Sequence, residues 1–328
     1  MQRNTYIDSA KTFLIFLVIL GHCLVRLGDG KYVNACITMI YTFHMPLFVF
    51  FSGLLFNTDG SWKKVLRGSL EFLVTYCLFQ FLLMLLNNVP LTIGNILLPQ
   101  FALWYLLSLA FWRVLLKSFP VISNNRKVWL LWAVVLAIVM GYVPVGKELS
   151  LQRTFTFFPF FVVGNMIRST SVLGQIKRID YRIPVMLLIL FFFIAFFFVA
   201  KPPFWLLCGR TSFYGYHGSL FYAPFVKLGW FLMVLIVSVC VLRLIPDHKY
   251  LSVCGSKTLT VYLLHYYPIW ILEKLAFRTD NLLLLLCMAS VILVITVLMH
   301  ELKLIRFLVN PLKVGRRFLE PSVTSERI

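Results

Sequence analysis

Residues 12–27 read TFLIFLVILGHCLVRL and residues 41–56 read YTFHMPLFVFFSGLLF. Each is an apolar run with one imidazole set inside it, His22 in the first and His44 in the second. Neither alternates with the period of two that a strand would show. Each belongs to a window of the roughly 17–25 residues that crosses a bilayer as a helix, the structure in which a lone segment satisfies its own backbone polar groups in lipid. The same reading recurs along the chain. With the first two windows near 12–27 and 36–56, others fall near 67–87, 101–117, 128–144, 154–167, 184–200, 224–245, 257–276 and 282–301. The fold class is therefore all-α, a polytopic transmembrane bundle of about ten helices. The sixth window is short and contains Pro159, so it is expected to be tilted, broken or re-entrant.

Composition agrees. Of the 328 residues, 60% are hydrophobic and 13% charged, against roughly 45–50% and 25% in ordinary soluble domains. The mean hydropathy is +0.88. A soluble core cannot hide that much apolar surface. The net charge of +19 does not point to nucleic acid, because Lys and Arg sit in short clusters between apolar runs and form no soluble basic face. With ten crossings, 22 of the 31 Lys and Arg fall on the side of the N-terminus, which places both termini in the cytoplasm. These clusters also suit anionic membrane lipids or an anionic cofactor. Residues 1–312 form one transmembrane domain and 313–328 a short cytoplasmic tail. Residues 1–11 lead into a retained first helix without a cleavage site. The seven Cys include no CxxC pair or zinc-like spacing, so no metal is expected.

Ionisable side chains inside hydrocarbon are costly and read first as functional candidates. His22 lies roughly 16 Å along the helix axis from Lys11. His44 lies at a similar depth on the next segment, about 12 Å from its outer end, so the two imidazoles can meet. Otherwise His22 is a histidine bonded to a neighbouring helix, and His44 belongs to a packing helix kinked by Pro46. His265 lies deep in GSKTLTVYLLHYYP (residues 255–268), again followed by a Pro. Arg153 opens the unusual sixth segment. Lys63, Lys64 and Arg67 open the third helix, near Lys11 if the first three helices pack together; positions 64 and 67 share a face, and fixed cations there suit phosphates. Taken alone, that cluster is simple topology signal and lipid contact.

With these residues in view, the chain resembles the integral membrane acyltransferases of acyltransferase family 3, and within it the sugar O-acetyltransferases related to fucose acetylases. The strings are YIDSAKTFLIFLVILGHC, YTFHMPLFVFFSGLLF, SWKKVLRGSL, LWYLLSLAF, RTFTFFPFFVVGNMI and GSKTLTVYLLHYYP, in family order over residues 6–268. The resemblance implies that the family's spacing of a basic residue, ten residues and His falls on Lys11 and His22. It makes His22 catalytic, with His44 in the second-helix motif beside it. The family's basic pair for acyl-CoA falls on Lys64 and Arg67, Lys standing where Arg is often seen. Arg153 and His265 are expected to bind substrate.

The implied activity is O-acyl transfer, most simply O-acetyl transfer, at a bacterial inner membrane. The donor is cytoplasmic acyl-CoA, with acetyl-CoA as substrate and no permanently bound cofactor. The acceptor is a hydroxyl of a cell-surface or lipid-linked carbohydrate such as O-antigen or exopolysaccharide. Imidazole, with a reference pKa near 6.5, can take the hydroxyl proton as attack occurs, or His22 can itself carry the acyl group. A transporter or flippase of a glycolipid or small metabolite is the rival reading, since it too needs polar groups within a bundle.

Overall fold

The computed structural model describes residues 4–119, 125–145, 147–215 and 220–312; the 313–328 tail lies outside them. Among the described residues there are helices and no strands. The first half of the chain forms α1 (Thr5–Leu27), α2 (Lys31–Leu55), α3 (Trp62–Leu86), the single turn α4 (Ile93–Ile96), α5 (Trp104–Ser118), α6 (Arg126–Tyr142) and α7 (Leu151–Met166). The second half begins with α8 (Val172–Lys177), α9 (Arg182–Phe198), α10 (Phe204–Leu207), α11 (Ala223–Leu244) and α12 (Lys249–Gly255). It ends with α13 (Thr258–Leu264), α14 (Tyr266–Lys274), α15 (Leu282–Met299) and α16 (Lys303–Val309).

Every apolar window of the sequence coincides with helix, with two differences of physical origin. The window at 257–276 is two helices meeting at His265. Pro268 has no N–H for the Leu264 carbonyl, so the ladder is interrupted one residue before that imidazole. The sixth window, expected to be irregular, is one continuous helix despite Pro159. It packs against α2 and α6. Five helices, α1, α2, α3, α11 and α15, are long and apolar enough to cross a membrane. The other windows form shorter helices: α7, with 16 residues, extends about 24 Å.

Burial sorts the helices into layers. The apolar window of α2 is 83% buried and that of α15 only 22%. Helices α9 and α15 are exposed over most of their surface, with Met186, Phe198, Leu283 and Leu298 outward and only a narrow stripe such as Leu285, Ala289 and Ile292 buried. A helix apolar on every face and exposed on most of it is solvated by lipid. The protein is a membrane protein, with α1, α2 and α7 at its centre.

The central contact depends on two glycines. A Cβ at Gly53 would lie 2.0 Å from the Phe161 carbonyl oxygen, and one at Gly164 would lie 2.0 Å from the Phe50 carbonyl oxygen. The backbones of α2 and α7 therefore touch directly, as small residues permit between membrane helices. Asn165 Nδ2 closes the contact by donating to the carbonyls of Gly53 and Phe56 at 3.3 and 2.7 Å. Gly53→Ala is expected to cost about 1–3 kcal/mol by overpacking. Its melting temperature in detergent should fall relative to Gly174→Ala, a site where an added Cβ meets nothing within 4 Å.

Candidate active site

Of the segments with backbone strain among the described residues, two meet. Phe101 has φ +48°, and Leu149 and Ser150 have φ +52° and +51°; such conformations cost non-glycine residues on the order of 1–3 kcal/mol each and persist only where the surroundings enforce them. The enforcement is visible. Gln80, buried in α3, donates through Nε2 to the carbonyls of Asn95 and Leu98 at 2.9 and 2.7 Å and accepts from the Gln100 N–H at 2.9 Å. The Leu149 N–H donates to the Leu97 carbonyl at 2.7 Å. These bonds place Phe101 on one wall of a cavity and Arg153, on the first turn of α7, on another.

Arg153 is fixed by its neighbours. Gln152 Nε2 donates to the carbonyls of Met140 and Val143, each at 2.7 Å. The Thr154 hydroxyl meets that of Ser108 at 2.7 Å, and the Thr154 carbonyl accepts from Trp112 Nε1 at 2.7 Å. Arg153 is left with its guanidinium 4.9 Å from the centroid of the Trp104 ring.

The cavity measures about 350 Å³ and is lined by His22, Tyr41, His44, Arg26, Lys147, Arg153, Arg210 and Tyr262 among others. His22 and His44 thus share one chamber. The ring found against His22 is that of His265, stacked at 5.3 Å and 27°, with Phe101 at 4.3 Å on another side. Tyr41 touches both, its ring 4.8 Å from that of His44 and 6.4 Å from that of His22. Gly21 makes that room, since a Cβ there would lie 3.1 Å from the Tyr41 ring. The Gly21 gap is filled by an aromatic side chain and not by a second backbone.

Tautomers follow from the hydrogen bonds. His44 Nδ1 lies 2.7 Å from the Ile40 carbonyl and His265 Nδ1 lies 3.1 Å from that of Val261. A carbonyl only accepts, so both Nδ1 atoms carry the proton and both Nε2 atoms present a lone pair when the ring is neutral. His265 Nε2 is buried with no hydrogen-bond partner.

A second cavity of about 520 Å³ lies toward the end of the bundle where α1 starts. Lys11, Lys64, Arg67 and Arg113 line it, with Glu71, Ser52, Tyr105 and Tyr262. Lys11 is also paired with Asp8 at 3.2 Å. Lys64 and Arg67 are exposed at the rim, whereas Arg113 is half-buried. Its guanidinium lies between Phe56 and Phe72, 5.4 and 5.5 Å from their centroids, and its Nε has no hydrogen-bond partner. Tyr262 lines both cavities. Its hydroxyl donates to the Ala102 carbonyl, and its ring packs against Tyr105 at 5.4 Å and Phe48 at 6.5 Å. These three rings stand between an imidazole chamber and a cationic one.

The model of acyltransferase family 3, described as an acyltransferase domain, matches residues 4–301. The chain belongs to that family. It is also similar to the nodulation protein NolL of Mesorhizobium japonicum (strain LMG 29417 / CECT 9101 / MAFF 303099), at 25% identity over 179 residues. That match takes in 50% of this chain and 47% of NolL, so the chain spans about half the length of that relative. No solved structure matches.

In this member of family 3, the residues named from sequence divide between the two chambers. His22, His44 and Arg153 line one with His265 stacked behind, and Lys11, Lys64 and Arg67 line the other. Lys63 is exposed and lines neither. Sequence reasoning missed Tyr262 and Arg113. A tyrosine in YLLHYY carries no signal for a position between two cavities, but Arg113 is a charge in the apolar run AFWRVLL and was read only as topology signal. Lys227 falls in the same count, among the nine Lys and Arg on the side away from the N-terminus. It is 6% exposed, and its Nζ donates to the Ala137 carbonyl at 2.8 Å and to Thr156 Oγ1 at 3.0 Å, holding α6 and α7 to α11.

Proposed function

We propose that the protein is an integral membrane O-acyltransferase, most simply an O-acetyltransferase, moving an acyl group from cytoplasmic acyl-CoA to a carbohydrate hydroxyl. The observation that carries this reading is the pair of chambers divided by Tyr262, one with Lys11, Lys64, Arg67 and Arg113 and no imidazole, the other with His22 and His44. The Lys and Arg asymmetry puts the cationic chamber on the cytoplasmic face of a multi-pass, inner-membrane protein with ten crossings. There the phosphates of acyl-CoA meet Lys64, Arg67 and Arg113, with Lys11 nearby. Cations at fixed positions bind phosphate oxygens through charge-assisted hydrogen bonds.

The pantetheine arm is long, thin and neutral, which suits a passage between Phe48, Tyr105 and Tyr262. The thioester carbonyl then enters the imidazole chamber. In direct transfer, the acceptor hydroxyl gives its proton to the lone pair of a neutral imidazole as its oxygen attacks the carbonyl carbon. The new C–O bond forms, the C–S bond breaks, and the proton passes to the departing CoA sulfur. In the alternative order the His22 nitrogen attacks the carbonyl carbon, the C–S bond breaks and CoA leaves as its thiol with the imidazole proton. The acyl group stays on His22 until the acceptor oxygen displaces it and returns its proton to the imidazole. His44, with Nδ1 committed to Ile40, is held with Nε2 free to orient the acceptor or take its proton.

The test is turnover of [14C]acetyl-CoA by the purified protein in detergent, wild type against His22→Ala. Release of CoA or labelling of the wild-type protein, lost in His22→Ala, is the expected result. Label that stays on the protein selects the acyl-enzyme order. Absence of both acetyl-CoA binding and turnover would overturn the proposal and favour substrate translocation.

A further inference from the structure

The imidazole chamber has a charge balance that acyl transfer to a neutral sugar does not require. Among the described residues that line it there are four cations, Arg26, Lys147, Arg153 and Arg210, and no Asp or Glu. Arg26 is neutralised by Glu273 at 2.9 and 3.0 Å. Arg153, Arg210 and Lys147 form no ion pair among the described residues. Arg153 is the telling one. It is half-buried, stacked on Trp104, and fixed by the bonds of Gln152 and Thr154 on either side. A guanidinium held without a counter-ion in an apolar helix is costly, and its five donors match the planar oxygens of a carboxylate or phosphate.

From this we infer that the acceptor is anionic: Arg153, with Arg210 and Lys147, binds a carboxylate or phosphate carried by the carbohydrate, and this holds its hydroxyl against His22 and His44. The inference rests on the proposed acyl transfer and specifies its acceptor. The chamber volume of about 350 Å³ is at the lower end for small-ligand sites, so it admits one substituted sugar residue and not a stretch of polymer. The anion is therefore on that residue or at its linkage. A uronic acid supplies a ring carboxylate, and a lipid-linked sugar supplies a phosphate at the anomeric carbon.

The full-length protein in phosphatidylcholine nanodiscs, which present no net lipid charge, tests this by equilibrium binding of three probes with one tail. Octyl glucoside is neutral, octyl glucuronide carries a ring carboxylate, and an octyl glucosyl phosphodiester carries the anomeric phosphate. At least one anionic probe is expected to bind roughly tenfold or more tighter than octyl glucoside, the contribution of one charged hydrogen bond. Which of them does so identifies the source of the charge. The advantage should shrink as salt rises from about 50 to about 500 mM, vanish in Arg153→Gln and fall in Arg210→Gln, whose exposed side chain plays no part in packing. Equal binding of all three probes, or a preference that survives both substitutions, would overturn the inference. So would displacement of the anionic probe by adenosine 3′,5′-bisphosphate, which would assign these cations to the phosphates of the donor. Binding needs no transfer, so a preserved preference with neither acetyl-CoA binding nor turnover sinks only the acyltransferase proposal. Turnover with equal probe binding sinks only this one.

Discussion

His22→Ala is expected to lower acyl transfer by about 10²–10⁴-fold, the span of general acid–base catalysis, while acyl-CoA binding stays within about twofold of wild type because no phosphate-binding cation is touched. The ring faces the chamber, and the donor's phosphates are assigned to the far side of Tyr262. Single-turnover quench with [14C]acetyl-CoA and an alkyl glycoside separates the two quantities. His265→Ala should lose less, because its Nδ1 is committed to the Val261 carbonyl and its ring supports that of His22; it is a positioning residue. A support role predicts that His265→Phe, which keeps a ring to stack, recovers most of the activity that His265→Ala loses. If His22→Ala transfers within about threefold of wild type, too little for a lost general base, His44 becomes the base, with its fixed tautomer as the reason.

The contrast between His22 and Tyr262 shows what the sequence could and could not tell. An imidazole in lipid is expensive, so the residue type and its apolar surroundings flagged His22, His44 and His265 without any knowledge of packing. The same argument located the long apolar helices, since an apolar run of sufficient length has few alternatives in a membrane, but not the short α4, α8, α10, α12 and α16, which fall between the windows or after the last of them. Partnership between distant segments was not legible. Depth along two helices made His22 and His44 candidates for contact, yet the ring that stacks on His22 comes from residue 265, far along the chain. The continuity of α7 was hidden for a related reason. Pro159 weakens a helix in isolation, and the packing of α7 against α2 and α6 cannot be read from its own sequence. Arg113 and Lys227 were misread because a positive charge near a helix end serves topology, and nothing local distinguishes that use from burial. Arg113 is betrayed by Gly68, but only in three dimensions.

That pairing leads to the second large effect. Arg113→Gln is expected to raise the KM for acetyl-CoA by about 10–100-fold with kcat little changed, since a hydrogen bond to a charged group is worth about 1.5–3 kcal/mol. Lys64→Gln and Arg67→Gln should act in the same direction but less, because both lie at the exposed rim, where water competes for the phosphate. Arg113 is confined between Phe56 and Phe72, so its charge is less screened. A Cβ at Gly68 would lie 2.4 Å from one guanidinium nitrogen of Arg113 and 2.7 Å from the other. Gly68→Ala must therefore displace the guanidinium and should raise KM as Arg113→Gln does, although it removes no charge. Adding Gly68→Ala to Arg113→Gln should then do little more, the non-additivity of two changes that act on one contact. Steady-state kinetics with acetyl-CoA and with its analogue lacking the 3′-phosphate complete the argument. If Arg113 holds that phosphate, the substitution costs the analogue almost nothing. An equal rise in KM for both donors would move Arg113 to the diphosphate, and an unchanged KM for both would remove it from the donor site.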